Sequence, residues 1–105
     1  MRPTRIGTGL GIDEVLGPHR EFILRLASEL GGRNVRVFGS VRRKEATSHS
    51  DVDLLVEWSE RTSLRQIARF QTRVEDKVGR RVDVLEPGQL HWAMAPQVLA
   101  EAVNL

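Results

Sequence analysis

The sequence predicts an α/β (α+β) domain, a small mixed sheet with helices packed on it. Three observations carry that expectation. Residues 51–58, "DVDLLVEW", are apolar on both faces at Leu54, Leu55 and Val56, as a covered central strand would be. Two more short segments, around Val35-Val37-Phe38 and from Arg81 to Glu86, also read as strands. Stretches of helical periodicity lie between and around them.

Taken in order, residues 1–11 hold three glycines and one proline without periodicity and read as a loosely ordered lead-in. A helix follows, with Pro18 near its first turn. Phe22, Ile23, Leu26 and Leu30 mark its face, and Gly31-Gly32 ends it. The first strand closes on Gly39-Ser40. Val41 to Ser50 is polar and basic, a loop or a short helix and then a loop. After the Asp51–Trp58 strand, Ser63 and Gln66 make a capping box for a second helix. Leu64, Ile67, Gln71, Val74 and Val78 mark its face, and Gly79 stops it. The third strand stops at Pro87-Gly88. A last helix begins near Pro96, with Val98, Leu99, Ala102 and Val103 as its buried side.

At 105 residues, positions 1–105 are expected to form a single domain. The chain has no cysteine, which removes disulfides and thiolate metal sites from consideration. No apolar run is long enough to span a bilayer, and the first residues contain no secretory h-region. The cytoplasm is the expected compartment. The net charge is +2, with 16 basic against 14 acidic residues, and the arginines are scattered rather than striped. Direct nucleic-acid binding is therefore not expected.

The chemistry lies in the acids. Asp51 and Asp53 are two residues apart on a strand and project to one face, opposite Val52, Leu54 and Val56. Two adjacent carboxylates repel, so their pairing calls for a compensating charge. Mg²⁺ fits, because it takes oxygen ligands and prefers carboxylates together with substrate phosphates. The ordinary alternative is a solvated strand start paired with arginines. A third acid, Asp83, sits between Val82 and Val84. If those valines face the core, a neighbouring strand brings Asp83 beside the pair. Three carboxylates so placed suit two metal ions about 3.5–4 Å apart and in-line phosphoryl displacement. The alternative for Asp83 is a salt bridge to Arg80 or Arg81, and Glu57 and Glu86 compete as third ligand.

Gly39-Ser40 follows a strand at the possible start of a helix. Glycine allows close backbone approach to a phosphate, and Ser40 adds a hydroxyl. Arg42, Arg43 and Lys44 supply positive charge next to it. The plain alternative is a strand-to-helix turn with Ser40 as its cap. His49 lies beside the acids and reads as an exposed loop residue.

In combination, these residues resemble the minimal nucleotidyltransferases of the polymerase-beta-like superfamily. Their pattern reads G-S-x-A-R-G, a short loop, S-D-x-D-L-x-V, and a third Asp on a later strand. The matching positions are Gly39, Ser40, Arg43, Ser50, Asp51, Asp53, Leu54 and Val56, with Asp83 as third acid. Arg42 stands where Ala is usual, and Lys44 where Gly is usual. The resemblance covers about Val35 to Glu86. It implies that Gly39, Ser40 and Arg43 form the nucleotide site, with Gly39 and Ser40 on the triphosphate of ATP and Arg43 supporting that loop or the phosphates. It also implies that Asp51, Asp53 and Asp83 hold two Mg²⁺ ions for catalysis. A further implication is transfer of AMP to a hydroxyl of a protein partner, a HEPN ribonuclease toxin to which this chain is antitoxin. The alternative is an inactive relative that neutralises its partner by contact. The C-terminal segment with Trp92, Met94 and Leu99 is then either an exposed interface or part of the core.

Overall fold

Four strands form one mixed sheet in the order β3-β2-β1-β4 in the computed structural model, which describes residues 7–105. A short helix α1 (Ile12–Val15) and a 3₁₀ turn (Gly17–His19) lead into α2 (Arg20–Glu29). Then come β1 (Gly32–Phe38), α3 (Gly39–Arg42) and β2 (Val52–Trp58). The remainder is α4 (Leu64–Val78), β3 (Val82–Leu85), a 3₁₀ turn (Pro87–Gln89), α5 (Ala95–Glu101) and β4 (Val103–Asn104). β1 runs antiparallel to both β2 and β4, and β3 runs parallel to β2. A parallel neighbour requires a crossover, and the 15-residue α4 supplies it.

The two sheet faces differ. One carries Val35, Val37, Val52, Leu54, Val56 and Val82, which pack with Ile23 and Leu26 of α2 and Phe70 and Val74 of α4. The other carries a smaller cluster of Phe38, Leu55 and Val98, with Leu85, Leu90 and Ala102 around it. Leu54 and Leu55 are both fully buried, one on each face, which accounts for the unbroken apolar run in β2. The larger cluster holds the fold. The smaller one lies on the face from which Asp53 and Asp83 project.

Helix α4 has the expected capping box, with the Gln66 amide donating to Ser63 Oγ and the Ser63 amide to Gln66 Oε1. Gly79 closes it in the left-handed region at φ 72°. Its buried face differs from the expected one. Leu64, the first helical residue, is 82% exposed, while Phe70 is fully buried and meets Trp58 edge-on at 5.2 Å. Two cations of α4, Arg73 and Lys77, stack over Phe22 of α2.

The C-terminus also differs from expectation. The last helix ends at Glu101, and Val103 does not continue it but pairs with Val37 in β4. Ala102 has already turned extended. A two-residue strand has no periodicity to detect, and β1 offers an open edge for it to pair with. Pro18 falls in the 3₁₀ turn, one step before α2 begins. In the glycine-rich lead-in, the Gly7 amide donates to Arg43 O, the Gly9 amide to Lys44 O, and Leu10 bridges Ala46. Positions 7–10 are thus tied to the loop after α3, and residues 1–6 of the expected lead-in lie outside the described residues.

Candidate active site

The site is assembled where β1 ends and β2 and β3 begin. In the parallel register Asp53 stands opposite Asp83, one step along from the Val52–Val82 pair. Val52 and Val82 are buried in the main core, so their neighbours Asp53 and Asp83 project from the other face, side by side. Asp51 immediately precedes β2, two residues before Asp53. On the other flank Phe38, the last residue of β1, pairs with Asp53 and delivers the chain into Gly39.

Gly39 has φ +76°, and a Cβ on it would run into Asp53 Oδ2. The turn therefore sits directly against the aspartate, and only glycine gives both the backbone conformation and the space. Ser40 is the second residue of α3, not its cap, and the helix has no side-chain cap. The Ser40 hydroxyl is thus left out of local capping. Lys44, at the position where the resembling family has glycine, is left-handed at φ 58°. The turn keeps the shape glycine would allow, and lysine carries the strain.

Burial and the charges of Asp83 and Asp51 push the Asp53 carboxyl up from its ordinary value of 3.8 to about 6, with Arg43 opposing them. Asp53 thus feels the charge of both other acids. The ion pairs seen among the described residues include none of them. Arg80, weighed as a partner for Asp83, donates instead to the carbonyls of Thr47 and Ser50 and braces the loop before Asp51.

Among the described residues, no group of three or more His, Cys, Asp or Glu side chains is placed to hold a metal ion as it stands. The donor set itself suits Mg²⁺, which binds through one or two carboxylates and completes its shell with substrate phosphates and water.

The competing acids do not join the group. Glu57 pairs with Arg33 and Arg36 and accepts from the Asn34 side chain. Glu86 caps the 3₁₀ turn. His49 is exposed in the loop, where its amide donates to Thr47 Oγ1.

Arg43 is not free. Its Nη1 reaches Glu101 Oε1 at 2.7 Å and its Nε reaches Glu45 Oε1 at 2.9 Å. The Glu101 hydrogen bond raises the Arg43 pKa; burial opposes it, and the Glu45 hydrogen bond adds to the rise. Sequence reasoning missed Glu101. It lies 62 residues from Gly39, and the packing of α5 together with the unexpected β4 returns it to the turn. Its position at the end of a helical pattern was the one available signal.

The chain belongs to the nucleotidyltransferase domain family, whose pattern matches residues 19–104. Its fold is that of the minimal nucleotidyltransferases. A solved structure assigned to that group superposes with a TM-score of 0.80 at 40% identity, covering 94% of this chain and 100% of the other. The protein adenylyltransferase MntA of Thermococcus cleftensis is 36% identical over 92 residues, 88% of this chain and 90% of the relative. A crystal structure of a toxin–antitoxin with AMP-PNP shares the fold at a TM-score of 0.69 and 15% identity, covering 82% of this chain and 71% of that one.

Proposed function

We propose that this chain is a metal-dependent protein adenylyltransferase that moves AMP from ATP to a hydroxyl of a partner protein. The partner in this reading is a HEPN ribonuclease toxin, and the chain is its antitoxin. The observation that carries the reading is the side-by-side register of Asp53 and Asp83 against the Gly39-Ser40 turn. The similarity to a protein adenylyltransferase and to a toxin–antitoxin structure supports the acceptor class.

In this mechanism Ser40 and the backbone of its turn hold the polyphosphate, and Arg43 adds positive charge beside it. Asp51, Asp53 and Asp83 would hold Mg²⁺, two ions in this reading. When bound, Mg²⁺ neutralises charge on the polyphosphate and on the oxygens of an in-line displacement. Asp83 helps remove the proton from the acceptor hydroxyl. The hydroxyl oxygen bonds to the α-phosphorus, the bond from that phosphorus to the bridging oxygen breaks, and pyrophosphate leaves.

The test is incubation with Mg²⁺, ATP labelled at the α-phosphate, and a candidate HEPN toxin. Label should pass to the toxin, and Asp51→Ala or Asp53→Ala should abolish it while far-UV circular dichroism is unchanged. Transfer at the wild-type rate in both variants would refute the assignment of the acids. A second reading, neutralisation by contact without transfer, draws support from Trp92, Met94 and Leu99, which are 82%, 59% and 41% exposed. It predicts that the Asp variants still silence the toxin.

A further inference from the structure

The hydrogen bonds around the Gly39 turn lead to one side chain that the sequence pattern does not contain. Glu101 Oε2 accepts from the Gly39 amide at 2.9 Å, and its Oε1 accepts from Arg43 Nη1 at 2.7 Å. Its backbone carbonyl accepts from Arg42 Nε at 2.9 Å. One residue thus engages three groups of the Gly39–Arg43 segment. The side chain is only 21% exposed. It is fixed from both sides: Val98, one turn earlier, packs on Phe38 and Leu55, and β4, two residues later, pairs with β1.

We propose that Glu101 is a positioning residue for the nucleotide grip. Its carboxylate holds the Gly39 amide and the Arg43 guanidinium so that Ser40 and the Arg43 charge face the polyphosphate. The inference rests on the functional reading above. The physical argument is division of labour. Gly39 is confined between Asp53 and Glu101, and Arg43 between Glu45 and Glu101, so neither group has to be ordered when nucleotide arrives. Ser40, lying between them in sequence, is left for the ligand. The carboxylate is itself an anion on anion-binding donors, so the order it gives must outweigh its charge. Two charge-assisted hydrogen bonds and a largely buried setting argue that it stays in place.

The experiment uses the full chain with Glu101→Gln and Glu101→Ala, and reads two quantities. The first is hydrogen–deuterium exchange, with no ligand present. Exchange across residues 39–45 should rise at least tenfold in both variants, while residues 67–78 of α4 stay at the wild-type rate. The second is calorimetric binding of a non-hydrolysable ATP analogue with Mg²⁺. The dissociation constant should rise about tenfold, the order expected from losing one charge-assisted hydrogen bond. Combining Glu101→Gln with Arg43→Gln should weaken binding by less than the product of the single effects. Unchanged exchange in residues 39–45, or tighter binding in Glu101→Gln, would overturn the proposal. If the wild type binds no nucleotide, the functional reading fails, while the exchange result still judges the role of Glu101 in ordering the turn.

Discussion

Asp53 is the residue on which burial, charge and backbone contact converge. Its carboxyl is raised to about 6 by burial, then by Asp83 and Asp51. The sign of the consequence follows from linkage. A carboxyl raised above its unfolded value binds its proton more tightly in the folded state. Its contribution to stability is present below about pH 3.8 and is lost as pH rises through about 6. Metal-free protein should therefore show a titration near pH 6 in the carboxyl carbon signal of Asp53. Asp83→Asn should lower that midpoint, because it removes the largest charge contribution while burial remains. A midpoint unmoved by Asp83→Asn would mean that the two carboxylates do not share a face. Gly39 is the companion case. Gly39→Ala should destabilise the fold by about 1–3 kcal/mol from its left-handed backbone alone, measured by urea titration. It should also displace Asp53, whose Oδ2 occupies the space of the new methyl group.

At the scale of elements, α4 offers the clearest test of which residues carry packing. Phe70→Ala should cost about 3–5 kcal/mol, whereas Leu64→Ala should stay within about 0.5 kcal/mol, both read from denaturant midpoints. The contrast shows what was legible. The cap at Ser63 and the stop at Gly79 were readable because they are local chemistry, satisfied by neighbouring backbone. The orientation of the helix was less readable, because Leu64 fits the same periodicity as the buried positions yet, as the first residue of α4, lies exposed. The strand β2 was readable from an apolar run buried on both faces. The pairing of Asp53 with Asp83 followed from alternation once β2 and β3 were neighbours in parallel. Neither β4 nor Glu101 was legible, since both depend on an edge pairing between segments far apart in sequence.

For the whole molecule, the division of the sheet into a main packed face and a smaller one sets where partners can approach. The α2 and α4 side is closed by the main core, so under the proposed function a protein acceptor would approach the acids from the α5 side. Trp92 and Met94 lie exposed in the segment leading into α5, and His91 stacks on Trp92 at 5.6 Å. Under the proposed function, Trp92→Ala together with Met94→Ala should weaken association with a toxin partner at least tenfold in a pull-down or calorimetric titration. The melting temperature should change little, because these side chains leave the core intact. Retained affinity would place the contact elsewhere. No helix among the described residues is long and apolar enough to cross a membrane.

The return of the chain through β4 has a consequence for synthesis. Gly39 and Arg43 are translated early, but the carboxylate that orders them comes 62 and 58 residues later. A growing polypeptide still attached to the ribosome carries every aspartate before it can complete the turn. Order in the Gly39 turn should therefore arrive abruptly, once residues 101–104 are free to pair, rather than accumulate as the chain lengthens.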